Sequence, residues 1–465
     1  MLSDATPAYL IYFTCSMKSL FEKLHAKLGD FWWYSLMIFA ASRVSDVMNV
    51  FVGLWLVPKY IDPSELGAVL PLTQFSVFLS LPAAALATTL MKELNTLSAR
   101  GEHGQMKNLM RGVFICTGGF LVLAIIAARM LMPLLLERIR VAEGSLFILI
   151  IASGFIGAAA PVYMNALQAL KKFKTLSLIN VVGAPVRLLT MLVAMPFRPL
   201  SGYFLGQTST PAVHIAITIL SLRKELKVKA VRYWSIPTVR RLFLFFCGIM
   251  LYNLSGSVAN LIEQTVIRQR LPDLDSAAYY MLSRFSEISS FAIGAMLTIL
   301  FPFTAELAEK GQDSRPLVIK TSLATFAVSA VLALGFFAFG ERLLAILPHG
   351  DVYRDYAWAL PWMVGITAIG GVQGFYITAE TSAARFGFLK WWLPLQLAYP
   401  ACLLLVTGHG YFTKWLSPGL LHFINKINAL TLSDMLWWIT AFTLLRTLFC
   451  LVGLRHPKTT QPRTN

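Results

Sequence analysis

The chain has 465 residues, 57% of them hydrophobic and only 14% charged, with a formal net charge of +17 and a mean hydropathy of +0.65. Soluble domains carry about 25% charged residues, so these values exclude a soluble enzyme and require most of the chain to face lipid. The five cysteines (Cys15, Cys116, Cys247, Cys402, Cys450) and seven histidines are scattered without disulfide or metal-ligand spacing, so neither a metal site nor a catalytic centre is expected.

In residues 1–30 the basic Lys18, Lys23 and Lys27 follow the apolar stretch instead of preceding it, which is not the order of a signal peptide. A cytoplasmic segment lying on the membrane is expected there. Apolar runs long enough to cross a bilayer then recur at 31–58, 66–90, 112–136, 144–170, 175–197 and 201–222. The last of these opens on the polar, broken stretch Ser201, Gly202, Gly206, Gln207, Thr208 and Pro211. A second set follows at 239–266, 276–302, 318–340, 355–382, 388–407 and 431–454. The sequence therefore predicts an all-α polytopic membrane protein of about twelve transmembrane helices. Its parts are an N-terminal six-helix bundle over 31–222, a cationic linker over 223–238, a C-terminal bundle over 239–454 and a tail over 455–465.

An even number of spans leaves both termini on one side, and basic residues decide which. Loops and tails on the N-terminal side hold 25 Lys and Arg, those on the other side 10, and five more lie within spans. Both termini are thus expected in the cytoplasm. This asymmetry accounts for the charge without a nucleic-acid partner. Its densest part, Arg223, Lys224, Lys227, Lys229, Arg232, Arg240 and Arg241, reads as a segment resting on anionic membrane lipids.

The linker falls near the midpoint, and a shift of 210 residues sets 67–102 against 277–312 with ten identities in 36 positions. Phe75-Ser76 then matches Phe285-Ser286, and Gly101 matches Gly311. The matched spans run in the same direction, so the halves are parallel repeats of six helices, an arrangement that places substrate in a cavity between them.

Charge inside a membrane is costly and turns toward a partner or an aqueous cavity. Arg43, Arg129, Arg187, Arg284 and Arg446 lie within spans, and Asp46 and Glu287 lie at comparable depth, with Glu263 and Glu380 nearer helix ends. Arg43 with Asp46 and Arg284 with Glu287 have the i, i+3 spacing of one helix face; each pair either pins its helix to a neighbour or lines the cavity. Arg187 has no acid near it in sequence, whereas Arg129 and Arg446 are within reach of an interface. The substrate-binding candidates are Arg43, Arg187, Arg284, Asn253 and Asn260. Excess arginine favours an anion such as a pyrophosphate or uronic acid, which guanidinium binds in bidentate fashion. The polar Gln74, Ser76, Ser80, Ser283, Ser286, Ser289 and Ser290 either bond helix to helix or hydrate a sugar path.

Several segments resemble the multidrug, oligosaccharidyl-lipid and polysaccharide exporter superfamily, and within it the polysaccharide flippases of the Wzx type. The turn from Val57 to Gly67, the close of span four from Ala166 to Lys174, and Ala278-Tyr279-Tyr280 with Leu300-Phe301-Pro302 in span eight carry the likeness. Ala277, where the repeat has Gly, and the long loop from His409 to Leu430 depart from it. The resemblance implies two six-helix bundles forming a V around a central cavity and transport by alternating access, with protons or sodium as the coupling ion and no cofactor. It implies a lipid-linked, undecaprenyl-pyrophosphate-borne oligosaccharide as substrate, with a polysaccharide polymerase and glycosyltransferases as partners, and makes Asp46 the ion-coupling candidate. A cation-coupled multidrug or metabolite exporter is the alternative. A membrane glycosyltransferase would need acids at a membrane surface and a sizeable outer loop, and no enzymatic activity is expected.

Overall fold

The computed structural model describes residues 40–139, 146–170, 172–223, 227–309, 312–383, 385–407 and 431–455. The expected N-terminal segment, the first residues of span one, most of the tail and the 409–430 loop lie outside these. Twelve long helices are present among the described residues: α1 (Ala40–Tyr60), α2 (Val69–Ala99), α3 (His103–Ile139), α4 (Leu146–Ala169), α5 (Phe173–Ala194) and α6 (Pro199–Leu222). The second set is α7 (Ile236–Arg270), α8 (Asp273–Glu309), α9 (Arg315–Ala345), α10 (Ala359–Ser382), α11 (Leu389–Thr407) and α12 (Leu432–Arg455). Each predicted span coincides with one of them. Nine are long and apolar enough by composition to cross a membrane. The other three, α6, α8 and α11, carry polar groups that are used inside the protein: Thr210 bonds the Gly183 carbonyl, Arg284 pairs with Glu287, and Gln396 accepts from Arg446.

Within the N-terminal half α2 packs on α4, and α6 on both α4 and α5. In the C-terminal half α10 packs against α8, α9 and α12. The halves are joined by exchange. α7 lies along α2 as well as α11, and α8 lies against α1 and the short turn Pro63–Leu66. The repeat is carried into the helix ends: α1 stops at Tyr60 and α7 at Arg270, while α2 stops at Ala99 and α8 at Glu309, each pair 210 residues apart. Matched positions have matched burial, Leu72 with Leu282, Phe75 with Phe285 and Ser76 with Ser286 all lying in the interior.

One apolar core crosses between the halves at the end bearing the connections around 61–68 and 271–272, and it includes Ile61, Leu66 and Leu72 with Leu271, Ala277 and Leu282. Gly67 belongs to this contact, because a Cβ there would fall 2.1 Å from Ser276 Oγ. Toward the other end the core divides. Leu90, Leu94, Leu97 and Leu109 form one cluster in the N-terminal half, and Leu300, Val318, Phe375 and Ala379 another in the C-terminal half. Tyr376, Phe388 and Trp392 form a further cluster in the C-terminal half; burial of apolar surface drives this packing, so one end shares a core between the halves while the clusters toward the other end stay within each half.

The linker between the halves is folded back on the N-terminal one. Val231 N–H donates to the Gly104 carbonyl at 3.0 Å, Lys107 Nζ to the Val228 carbonyl at 3.0 Å, and the Tyr233 hydroxyl to Glu93 at 2.7 Å. Glu93 also accepts from Arg241 at 2.6 Å. Of the basic cluster, Arg241 in the first turns of α7 thus serves a protein contact, while Arg223, Lys227, Lys229, Arg232 and Arg240 are exposed.

Candidate substrate cavity

Between α2, α7, α8, α10 and α12 lies a cavity of about 540 Å³. Only Leu70, Thr73 and Gln74 reach it from the N-terminal half; its remaining lining comes from the C-terminal half and includes Glu263, Arg284, Glu287 and Arg446.

Helical spacing on α8 brings Tyr280, Arg284 and Glu287 to one face. Arg284 Nη1 donates to Glu287 Oε1 at 2.5 Å, and its guanidinium lies 5.0 Å from the centre of the Tyr280 ring. The Tyr280 hydroxyl donates to the Gly53 carbonyl at 3.2 Å. Gly53 stands in a π-helical turn of α1, Val52–Leu56, a local widening that recurs at functional sites. Glycine is needed for the approach, since a Cβ at this position would fall 2.9 Å from Arg284 Cδ.

On α7 the Glu263 carboxylate accepts from the hydroxyls of Tyr279 at 3.0 Å and Tyr399 at 2.6 Å, tying α7 to α8 and α11. Arg446 lies in electrostatic reach of Glu263 and donates to Gln396 at 2.6 Å and Thr443 at 3.2 Å. Gln373 of α10 donates to the Thr443 carbonyl at 2.8 Å and to Thr447 at 2.9 Å. Such networks are rigid, because each member removed strands another.

Of the candidates read from the sequence, Arg284 and Asn260 line the cavity. Arg187 donates to Asn49 on α1 and shares an electrostatic neighbourhood with Tyr203, Tyr280, Arg284 and Glu287, so it adds a third cation beside the cavity. Arg43 and Asp46 form their ion pair at 3.0 Å, and Arg43 also donates to the Phe291 carbonyl of α8 at 3.4 Å. This pair thus stands at the seam between α1 and α8. Neither it nor Asn253 is among the cavity-lining residues.

Arg446, which the sequence reading sends to an interface, turns into the cavity instead, held by Gln396 and Thr443. Glu263 was passed over as lying near a helix end. A signal existed in its i, i+3 spacing from Asn260, but its two tyrosine donors come from distant helices. Arg129 is exposed on α3.

No protein-family profile matches the sequence, and no curated protein matches it. Solved structures do match in fold. An inward-facing multidrug resistance MATE family transporter of the MOP superfamily aligns at TM-score 0.60 and 12% identity, over 90% of this chain and 94% of that one. A MOP superfamily transporter from Pyrococcus furiosus, described as having a binding pocket of reversed polarity, aligns at TM-score 0.60 and 14% identity, over 90% and 93%. A Vibrio cholerae MATE transporter variant aligns at TM-score 0.57 and 15% identity, over 94% and 99%. The chain therefore has the fold of multi-pass transporters built on two six-helix repeats.

Proposed function

We propose that this protein is a flippase of the polysaccharide branch of that superfamily. It carries an undecaprenyl-pyrophosphate-linked oligosaccharide or polysaccharide precursor across a bacterial inner membrane by alternating access. The supporting observation is the cavity lining. Gln74, Asn260, Gln264, Ser283, Ser286 and Thr367 offer the mixed donors and acceptors that sugar hydroxyls need. Arg284, with Arg187 beside it, offers bidentate partners for a diphosphate. Three arginines against the carboxylates of Glu263 and Glu287 leave the site cationic. A cavity of this volume encloses a headgroup of small-ligand size, so the lipid chain travels in the bilayer.

In this reading the termini and the 223–238 linker face the cytoplasm, the joined end of the molecule faces outward, and the cavity fills from the side on which glycosyltransferases assemble the substrate. A polymerase takes it up on the far side. Asp46 carries the proton or sodium coupling. The 31–222 and 239–454 bundles are the moving bodies.

The second reading, a cation-coupled multidrug or metabolite exporter, is supported by the solved neighbours, several of which are multidrug or MATE transporters. Complementation separates the two. Expression is expected to restore surface polysaccharide in a flippase-deficient strain and to leave a drug-hypersusceptible, exporter-deficient strain unprotected; the reverse pattern overturns the flippase reading.

A further inference from the structure

Arg268, in the last turn of α7, is only 2% exposed, and it lies at the end where the halves are joined. A buried guanidinium costs several kcal/mol unless it is paired and hydrogen-bonded. Its Nη1 pairs with Asp273 Oδ1 of its own half at 2.9 Å, and Asp273 is itself 45% exposed. Its Nη2 crosses to the other half and donates to the Ser64 carbonyl at 2.6 Å. Ser64 belongs to the one-turn helix Pro63–Leu66, and so short a helix leaves its carbonyls without intrahelical donors. Around this bond Gly67 meets Ser276 with no room for a side chain, and Leu66 and Leu271 are buried.

We propose that Arg268 is the latch that holds the cavity closed at this end. Its charge is balanced by Asp273 within the C-terminal half, so when the halves separate its bond to the neutral Ser64 carbonyl breaks and the ion pair is kept. Water then takes the place of the Ser64 carbonyl at Arg268, and both partners remain satisfied. The latch has no symmetry mate. At the positions 210 residues earlier, Arg268 and Asp273 become Pro58 and Pro63, neither of which donates a hydrogen bond. The polar part of the closure is therefore asymmetric, set on the apolar contact that the two halves share. The inference rests on alternating access and is independent of which substrate is carried.

The test uses the full-length protein with its five native cysteines replaced and a single Ser290→Cys probe in the cavity, challenged with a membrane-impermeant maleimide from either face of the membrane. Arg268→Gln is expected to raise labelling from the outer face about tenfold, the worth of one hydrogen bond from a charged donor, and to lower labelling from the inner face. Asp273→Asn, a milder change at a half-exposed residue, is expected to shift labelling the same way, because the buried guanidinium then seeks water. A role confined to stability would lower the melting temperature of both variants and leave the ratio of outer to inner labelling unchanged, and that result overturns the latch. A probe that reacts from neither face in the otherwise unsubstituted protein overturns alternating access at this cavity, and the latch with it.

Discussion

At positions 210 residues apart the N-terminal half carries Gly53, Gln74 and Val77 where the C-terminal half carries Glu263, Arg284 and Glu287. The helix plan is repeated, but the chemistry of the cavity is not. Glu263 with its two tyrosines ties α7, α8 and α11 into one block, and Arg284 with Glu287 stands on one face of α8 within it. The N-terminal half lines the cavity with the uncharged Leu70, Thr73 and Gln74 and sets Arg187 beside it. Across the seam, Arg43 has an acid in its own half and donates to the Phe291 carbonyl of the other, as Arg268 does to that of Ser64. Arg241 with Glu93 is an ion pair across the halves, and Arg241 is exposed. These two bonds from the seam end on neutral carbonyls, whose place water can take.

The contrast is broken most severely at the cavity arginines. Arg284→Ala leaves the partly exposed Glu287 without its cation, and transport is expected to fall a hundredfold or more in a flippase-deficient strain. Gln74→Ala, at the matching position, removes one neutral group and is expected to cost about fivefold. Equal effects would refute the assignment of the charged wall. Arg187→Ala is expected to abolish complementation and Arg187→Lys to restore part of it, since a lysine cannot hold a diphosphate in bidentate geometry.

Thermal unfolding in detergent sharpens the same comparison at positions 53 and 263. Glu263→Leu leaves the Tyr279 and Tyr399 hydroxyls without their acceptor and Arg446 without its nearest acid, and is expected to destabilise by about 3–5 kcal/mol. Gly53→Ala sets a Cβ 2.9 Å from Arg284 Cδ, an overpacking expected to cost about 1–3 kcal/mol.

At the α1 seam, Asp46→Asn is expected to leave expression and substrate binding intact and to abolish gradient-driven transport. The double variant Arg43→Gln, Asp46→Asn decides between coupling and structure: an active protein would reduce the pair to a helix-pinning contact.

The smallest effect is expected in the linker. Burial, and then the Glu93 carboxylate, push the Tyr233 hydroxyl up to about 12. A group whose folded value is raised contributes stability that is complete below its unfolded value, about 10, and is lost as pH rises through the folded one. Melting temperature is therefore expected to decline between about pH 10 and 12, and less steeply in Tyr233→Phe; an unchanged profile in that variant would detach the linker from Glu93.

Twelve helices, their order and the 210-residue repeat were legible in the sequence because crossing lipid imposes a length and an apolar composition that local reading detects. Even the polar start of α6 did not prevent the helix, since in the absence of water the backbone must satisfy itself. The i, i+3 pairs at Arg43 and Arg284 were legible for the same reason: helical spacing alone brings them together. What the sequence left open was the direction in which each charge points. Arg446 turns inward because Gln396 and Thr443 await it on α11 and α12, and Glu263 becomes the centre of a network because Tyr279 and Tyr399 converge on it from α8 and α11. Arg43 lies at a seam, and Arg268 under a turn of the other half, because α1 and α7 each pack across the molecule. Those contacts join residues up to 248 positions apart, and only the packing of helices brings them within hydrogen-bonding distance.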